Sequence, residues 1–371
     1  MFADGHTVIR MMEDIAPKWL AMEGDPIGLQ LGTPDRPVKK VLVALDVTED
    51  VADEAIRLQA DMIVAHHAVI YRPVRHLRTD LPAGKLYAKL LKHDIAVYVA
   101  HTNLDAAEGG VNDALASALG LTDAVPFAEL KHGQLAKLAV FVPKSHHDRV
   151  MQAVFDAGAG WIGNYSHCSF NVEGTGTFLA REGANPFLGQ VGRLETADEI
   201  RLETVVPREK LDRVVQAMLK AHPYEEVAYD IYPLDVKGKT YGIGRVGSLP
   251  EPATLAQLAE RVKAAYRVSA VRLVGDPGRT VRKVAVLGGS GRSYVADAMR
   301  SGADVLVTGD IDHHTAHDAL AAGFALIDAG HHIEKLVKPA VAGRLGGMLK
   351  DAGYATVAVA SEIDTDPFRF A

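Results

Sequence analysis

Cysteine is almost missing: Cys168 stands alone in 371 residues. The chain therefore forms no disulfide within itself and no cysteine-built zinc knuckle, which suits a reducing compartment. Long apolar runs are missing as well, since no stretch reaches the ~18 residues of a membrane-crossing helix. Lys and Arg form no block, being mixed with acids to a formal charge of -7, so the electrostatic footprint of a nucleic-acid binder is lacking. The first residues, MFADGHTVIRMMEDIAP, place acids where a signal peptide needs a basic and then an apolar run. A cytoplasmic protein is expected, with neither membrane nor nucleic acid as a partner.

What is present is apolar residue in quantity, 48% of the chain, enough for two or three cores of roughly 100 to 200 residues. The first ~130 residues alternate strand-like runs such as VLVALDVT, DMIVAHHAV and IAVYVAHTNLD with helical periodicity, and the last ~130 repeat that grammar with VRKVAVLGG, DVLVTGD and FALIDAGHH. Near-continuous apolar strands between helices predict mostly parallel sheets covered on both faces. The middle differs. The segments beginning at Lys137 and Arg201 align, Pro143 on Pro207 and Asp148-Arg149-Val150 on Asp212-Arg213-Val214, as two strand-Pro-helix units. The fold class expected is α/β: a two-part domain, 1–136 and 236–371, interrupted at 137–235 by a ferredoxin-like α+β domain.

Histidine is where the chain exceeds chance. Sixteen in 371 residues predict roughly 0.7 adjacent pairs, yet four occur: His66-His67, His146-His147, His313-His314 and His331-His332. Three follow apolar strands of the α/β portion, and the carboxyl ends of parallel strands open on one ligand-binding edge. One rim would thus receive His66, His67, His101, Asp105, Asp310, His313, His314, His331 and Glu334. Imidazoles and carboxylates are the ligand set of zinc, manganese or iron. Adjacent histidines diverge and so serve two ions; Asp105 is a candidate bridge, and His331 and Glu334, three apart, share a helix face. Five ligands over two ions leave positions open for reaction. A competing set is His313 and His317 with Asp310 or Asp312; His146-His147 reads as a solvated face. VLGGSGRS (286–293) is a phosphate cradle or a bare tight turn, GDPIGLQLG (24–32) a loop permitting close backbone approach, and AHPYEEVAYDIYP packing plus a subunit contact.

The combination of GLQLG, AHHAVIYRP, AHTNLDAAEGGVNDALA and DAGHHIEK resembles the GTP cyclohydrolase 1 type 2 homologue family, the dinuclear metal-centre hexamer proteins. The resemblance spans nearly the whole chain and implies metal ligation by His66, His67, Asp105, His331 and Glu334, with His332 a bystander. It further implies two divalent ions per subunit (zinc, iron or manganese), a toroidal homohexamer, and a PII- or CutA-like character for the insert. Two departures stand out: Gly24-Asp25-Pro26-Ile27 replaces the family's Trp-Asp-Asn, and His313 replaces a Tyr. The function expected is metal-dependent hydrolysis of a nucleotide, GTP being the one the family's name suggests, or of another phosphorylated small molecule, with His314 or His101 as proton shuttle. The alternative is a non-enzymatic metal-handling or regulatory ring whose insert senses a small molecule.

Overall fold

The structure, a computed structural model, describes residues 1–370. Two compact units emerge, Met1–Lys131 with Tyr241–Ala371 and, separately, His132–Thr240. In the first unit, a five-stranded sheet runs in the order Val357–Ala360, Lys40–Ala44, Met62–Ala65, Ala96–Val99 and Gly28–Leu31. The first four strands are mutually parallel and only the last is antiparallel. MIVA and AVYV are buried at every position, as strands covered on both faces must be.

The second sheet of this unit departs from the expectation of mostly parallel pairing. Its order is Arg272–Val274, Ala325–Asp328, Val305–Gly309, Thr280–Ser290, Arg245–Thr254 and Thr122–Val125. Only the Ala325, Val305 and Thr280 strands pair in parallel; the other three pairings are antiparallel. The halves of the sequence also exchange strands. Val357–Ala360, from the C-terminal end, completes the N-terminal half's sheet beside Lys40–Ala44, and Thr122–Val125 pairs with Arg245–Thr254. One core cluster accordingly draws on both halves, from Val8 and Leu115 to Val286 and Leu345.

Local signals set the helix starts. Thr48 caps Glu49–Arg57, Asp312 caps His313–Ala321, and Thr254 with Gln257 forms a reciprocal capping box on Leu255–Tyr266. Replacing Thr254 by Ala is expected to cost about 1 kcal/mol, measured as a lowered midpoint of thermal unfolding with metal content unchanged.

The unit His132–Thr240 places Ser169–Leu179, Leu194–Pro207, Leu135–Pro143 and Tyr229–Leu234 in one antiparallel sheet in that order. Chain order is β-α-β-β-α-β. Pro143 and Pro207 each end a strand and lead through a short 3-10 turn into the helices His147–Asp156 and Leu211–Ala221. These helices cover the sheet face carrying Leu138, Val140, Val142, Leu202 and Val206 with Val150, Val154, Val214 and Met218. Among the described residues, no helix is long and apolar enough to cross a membrane.

Candidate metal centre

The five- and six-stranded sheets of the first unit both deliver polar residues at the carboxyl ends of their parallel strands. Asp46 follows Lys40–Ala44, His66 and His67 follow Met62–Ala65, and His101 follows Ala96–Val99. From the other sheet come Asp310, after Val305–Gly309, and His331, after Ala325–Asp328. The turn into the 3-10 helix His331–Leu336 passes through Gly330 at φ +80°, a conformation glycine adopts without strain. Glu334 then falls on the same face as His331, their side-chain atoms Oε2 and Nε2 being 3.4 Å apart.

Four rings converge, and each has its Nδ1 engaged outside the cluster. His66 Nδ1 lies 3.0 Å from the Ala100 carbonyl oxygen, His67 Nδ1 2.7 Å from Asp46, His101 Nδ1 2.8 Å from Asp25 and His331 Nδ1 2.7 Å from Asp310. Donation from Nδ1 to these acceptors turns Nε2 of each ring inward, as the atom that becomes the ligand once it gives up any proton it carries. The Nε2 atoms of His67 and His66 stand 3.0 and 3.7 Å from Glu334 Oε2, and His66 Nε2 is 3.7 Å from Asp105 Oδ1. Three groups have ligand atoms within 4.8 Å of one another: His67-His331-Glu334, His66-Asp105-Glu334 and His66-His67-His101. The carboxylate common to two of them is Glu334, whereas the sequence pointed to Asp105 as the bridge.

The donor set fits a cation by a direct observation. His66 Nε2 and Asp105 Oδ1 are buried with no hydrogen-bond partner, a state that polar atoms rarely tolerate unless something else satisfies them. These are the two atoms that the second group would offer to an ion. The backbone has also been cleared around Glu334. A Cβ at Gly288 would approach Glu334 Cγ to 2.9 Å, and one at Gly289, where φ is +67°, would approach Glu334 Oε1 to 2.6 Å. The segment read as a phosphate cradle or tight turn is thus partly strand, Thr280–Ser290, and its glycines make room for the central carboxylate. Gly289→Ala is expected to push Glu334 off position and to weaken metal retention by roughly 10–100-fold, the range seen when support of a ligand is lost, as read by competition with a chelator.

Charge in the ion-free cluster is tightly shared. Burial disfavours a charged His67 ring, but hydrogen bonds to Asp46 and Glu334 outweigh it and raise its pKa to about 10. His331 is raised to about 9 by its hydrogen bond to Glu334, against burial and with help from Asp310. The two carboxylates move apart: burial raises Asp105, while Glu334, though buried too, is held well below the usual range by His66, His331 and His67.

The remaining candidates fall on either side of this cluster. His101 stands beside it, its ring centroid 5.2 Å from that of His66 and 5.7 Å from that of His67. His314 is exposed on the helix His313–Ala321, and no metal-capable group among the described residues includes it, His313 or His317. The His313 and His317 rings pack at 4.5 Å with no third ligand. His332 turns away toward Thr365, its Nε2 3.2 Å from the hydroxyl. The sequence reading missed Asp46 and Asp25. Asp46 ends VLVALD, a signal of the same kind as the His pairs, and accepts from Thr365 as well as His67. Asp25, in the loop that departs from the family's Trp-Asp-Asn, accepts from His101 and from the Thr102 amide at 3.0 Å.

Fold and site together define a mixed α/β protein whose strand ends gather imidazoles and carboxylates in a cluster able to hold divalent metal. The chain belongs to the Duf34/NIF3 (NGG1p interacting factor 3) family, whose model matches residues 3–367. It is 51% identical over 368 residues to the GTP cyclohydrolase 1 type 2 homolog of Halalkalibacterium halodurans, covering 99% of both chains. It is also 51% identical over 367 residues to the Bacillus subtilis protein of that name, covering 99% of this chain and 98% of the relative. A Bacillus cereus protein related to NIF3 has the same fold over 100% of both chains, with a TM-score of 0.93 and 49% identity.

Proposed function

We propose that this chain is a metal-dependent hydrolase holding two divalent ions, and that it acts on a nucleotide or another phosphorylated small molecule. The observation that carries the proposal is the orientation of the imidazoles: four have Nδ1 engaged outside the cluster, and three of these, His66, His67 and His331, bring Nε2 to 3.7, 3.0 and 3.4 Å from the shared Glu334 carboxylate. His66, Asp105 and Glu334 would hold one ion, and His67, His331 and Glu334 the other. Zinc, iron or manganese bound there would supply Lewis acidity toward an oxyanion and a lowered pKa for water.

The chain's own residues do the rest. Asp46 and Asp310 keep His67 and His331 in the ligating tautomer. His101, its Nδ1–H held by Asp25, would present the Nε2 lone pair as a base with an orienting carboxylate, able to take up and pass on a proton. His314, on an exposed helix, enters only through contact with bound substrate. The names of the relatives make GTP the first substrate to assay. The proposal extends to a cytoplasmic, ring-shaped homohexamer in which residues 137–235 form a ferredoxin-like, PII/CutA-like domain.

The test is a panel of nucleotides and phosphoesters presented to the metal-loaded protein and to His67→Ala. Turnover is expected in the first and a loss of at least about a hundredfold in the second, beyond what losing support of one ligand causes. Turnover that survives the substitution would sink the two-ion hydrolase. Absence of turnover on every compound, with both ions bound, would instead favour a metal-handling ring.

A further inference from the structure

The motif AHPYEEVAYDIYP finds a use that the metal centre leaves untouched. The unit His132–Thr240 contains a cavity of about 380 Å³ built from its own residues, within the range of small-molecule sites. Its aromatic walls include Phe141, Phe178, Phe187 and Tyr224. The rings of Phe187 and Tyr224 lie 6.1 Å apart at 47°, and His146 meets Phe187 edge-on at 5.3 Å. Among the lining residues the charged side chains are Glu199, Glu225, Glu226 and Arg181, three carboxylates against one guanidinium.

Glu199 is set in place by two independent features. The Tyr224 hydroxyl donates to its Oε1 at 3.0 Å, and Gly176 leaves the space beside it, since a Cβ there would come within 2.3 Å of Oε2. Burial and the neighbouring Glu199 both raise the Tyr224 phenol, so the ring remains a donor. Glu225 accepts the Asn185 amide at 2.8 Å, which ties the segment carrying Phe187 to the opposite wall. The cavity is thus a cleft whose inner wall, Glu199 and Tyr224, is fixed in place, while Phe187, Glu225 and Glu226 line its solvent-facing side.

Its chemistry selects a ligand class. Aromatic faces attract a cation through the ring quadrupole, and do so more strongly when it is desolvated. A bare metal ion would make no use of the rings, a phosphorylated ligand would meet three carboxylates, and a neutral apolar one would cover the half-buried Glu199 without giving it a charge partner. We propose that this cavity binds a small organic cation, an ammonium group carrying an aromatic or alkyl body. The ammonium lies against Glu199 and its body against Phe187 and Tyr224.

The experiment titrates the full chain with benzylammonium, benzyl alcohol and GTP by calorimetry. Benzylammonium is expected to bind saturably, and to bind unchanged in the His67→Ala chain, which separates this cavity from the metal cluster. Glu199→Gln keeps the side chain's shape and is expected to weaken binding about tenfold or more through loss of the charge partner. Glu225→Gln, whose amide oxygen can still accept the Asn185 N–H, gives a second charge deletion, with weakening in the same direction. No saturable binding of benzylammonium, equal binding of benzyl alcohol or of GTP at this cavity, or indifference to both charge deletions would each overturn the proposal.

Discussion

Glu334→Gln is expected to release both ions at once. Glu334 is only 3% exposed, and its Oε2 lies 3.0, 3.4 and 3.7 Å from the Nε2 atoms of His67, His331 and His66. The substitution keeps the side chain's volume but removes the charge that two ligand groups share, and it puts an amide where both need an anion. Competition with a chelator is expected to show affinity for each ion falling by more than about 100-fold, beyond the loss that follows when only a supporting residue is changed. Asp105→Asn provides the contrast, because Asp105 belongs to one group only: one ion should be weakened and the other retained. Equal retention of both ions by Glu334→Gln and wild type would contradict the shared role.

Metal uptake is expected to strengthen steeply with pH. In the ion-free cluster His67 titrates at about 10 and His331 at about 9, so at pH 7 both rings carry protons that an ion must displace. Raising pH from 7 to 9 removes most of that competition at His331 and lessens it at His67, for a combined gain on the order of a thousandfold in apparent affinity. Proton release, read by calorimetry in buffers of different ionisation enthalpy, should approach two per ion at that group at pH 7. A pH-independent affinity without proton release would rule the assignment out.

The same shifts set the stability of the ion-free protein. His67 and His331 have folded pKa values above the unfolded value of about 6.5, so their contribution is complete below that pH and is lost as pH rises through about 9 and 10. Glu334, lowered on folding, contributes above its unfolded value of about 4.5 and loses that contribution as pH falls through its folded pKa. Chelated protein should therefore be most stable between these limits, with a thermal midpoint that declines on the alkaline side. Bound ions should suppress that decline.

How much of this was legible in the sequence depends on the distance over which each signal acts. Strands such as MIVA and AVYV announce themselves because burial on both faces leaves no polar position in the run. His66, His67, His101 and His331 stand out by following such strands. Asp46 and Asp25 are as close to the cluster, yet an Asp after a strand or in a turn-rich loop is common for local reasons, and only the fold reveals the ring nitrogens they hold. Glu334's shared role was likewise invisible, since it depends on Gly288 and Gly289 arriving from another strand to make room. The exchange of Val357–Ala360 into the sheet of Lys40–Ala44 pairs residues more than 300 apart in sequence. No periodicity encodes that choice. The antiparallel pairing of Arg245–Thr254 with Thr122–Val125 escaped for a similar reason: strand direction follows from the connection, and that connection runs through the inserted unit.

The most direct measurement is the metal-to-chain ratio of the wild-type protein, taken by elemental analysis after dialysis against zinc, iron or manganese at pH 8. Two ions per chain are predicted, falling to one in Asp105→Asn. A ratio of one or zero in the wild type, or a ratio of two that survives in Glu334→Gln, would contradict a dinuclear centre built on the shared Glu334 carboxylate.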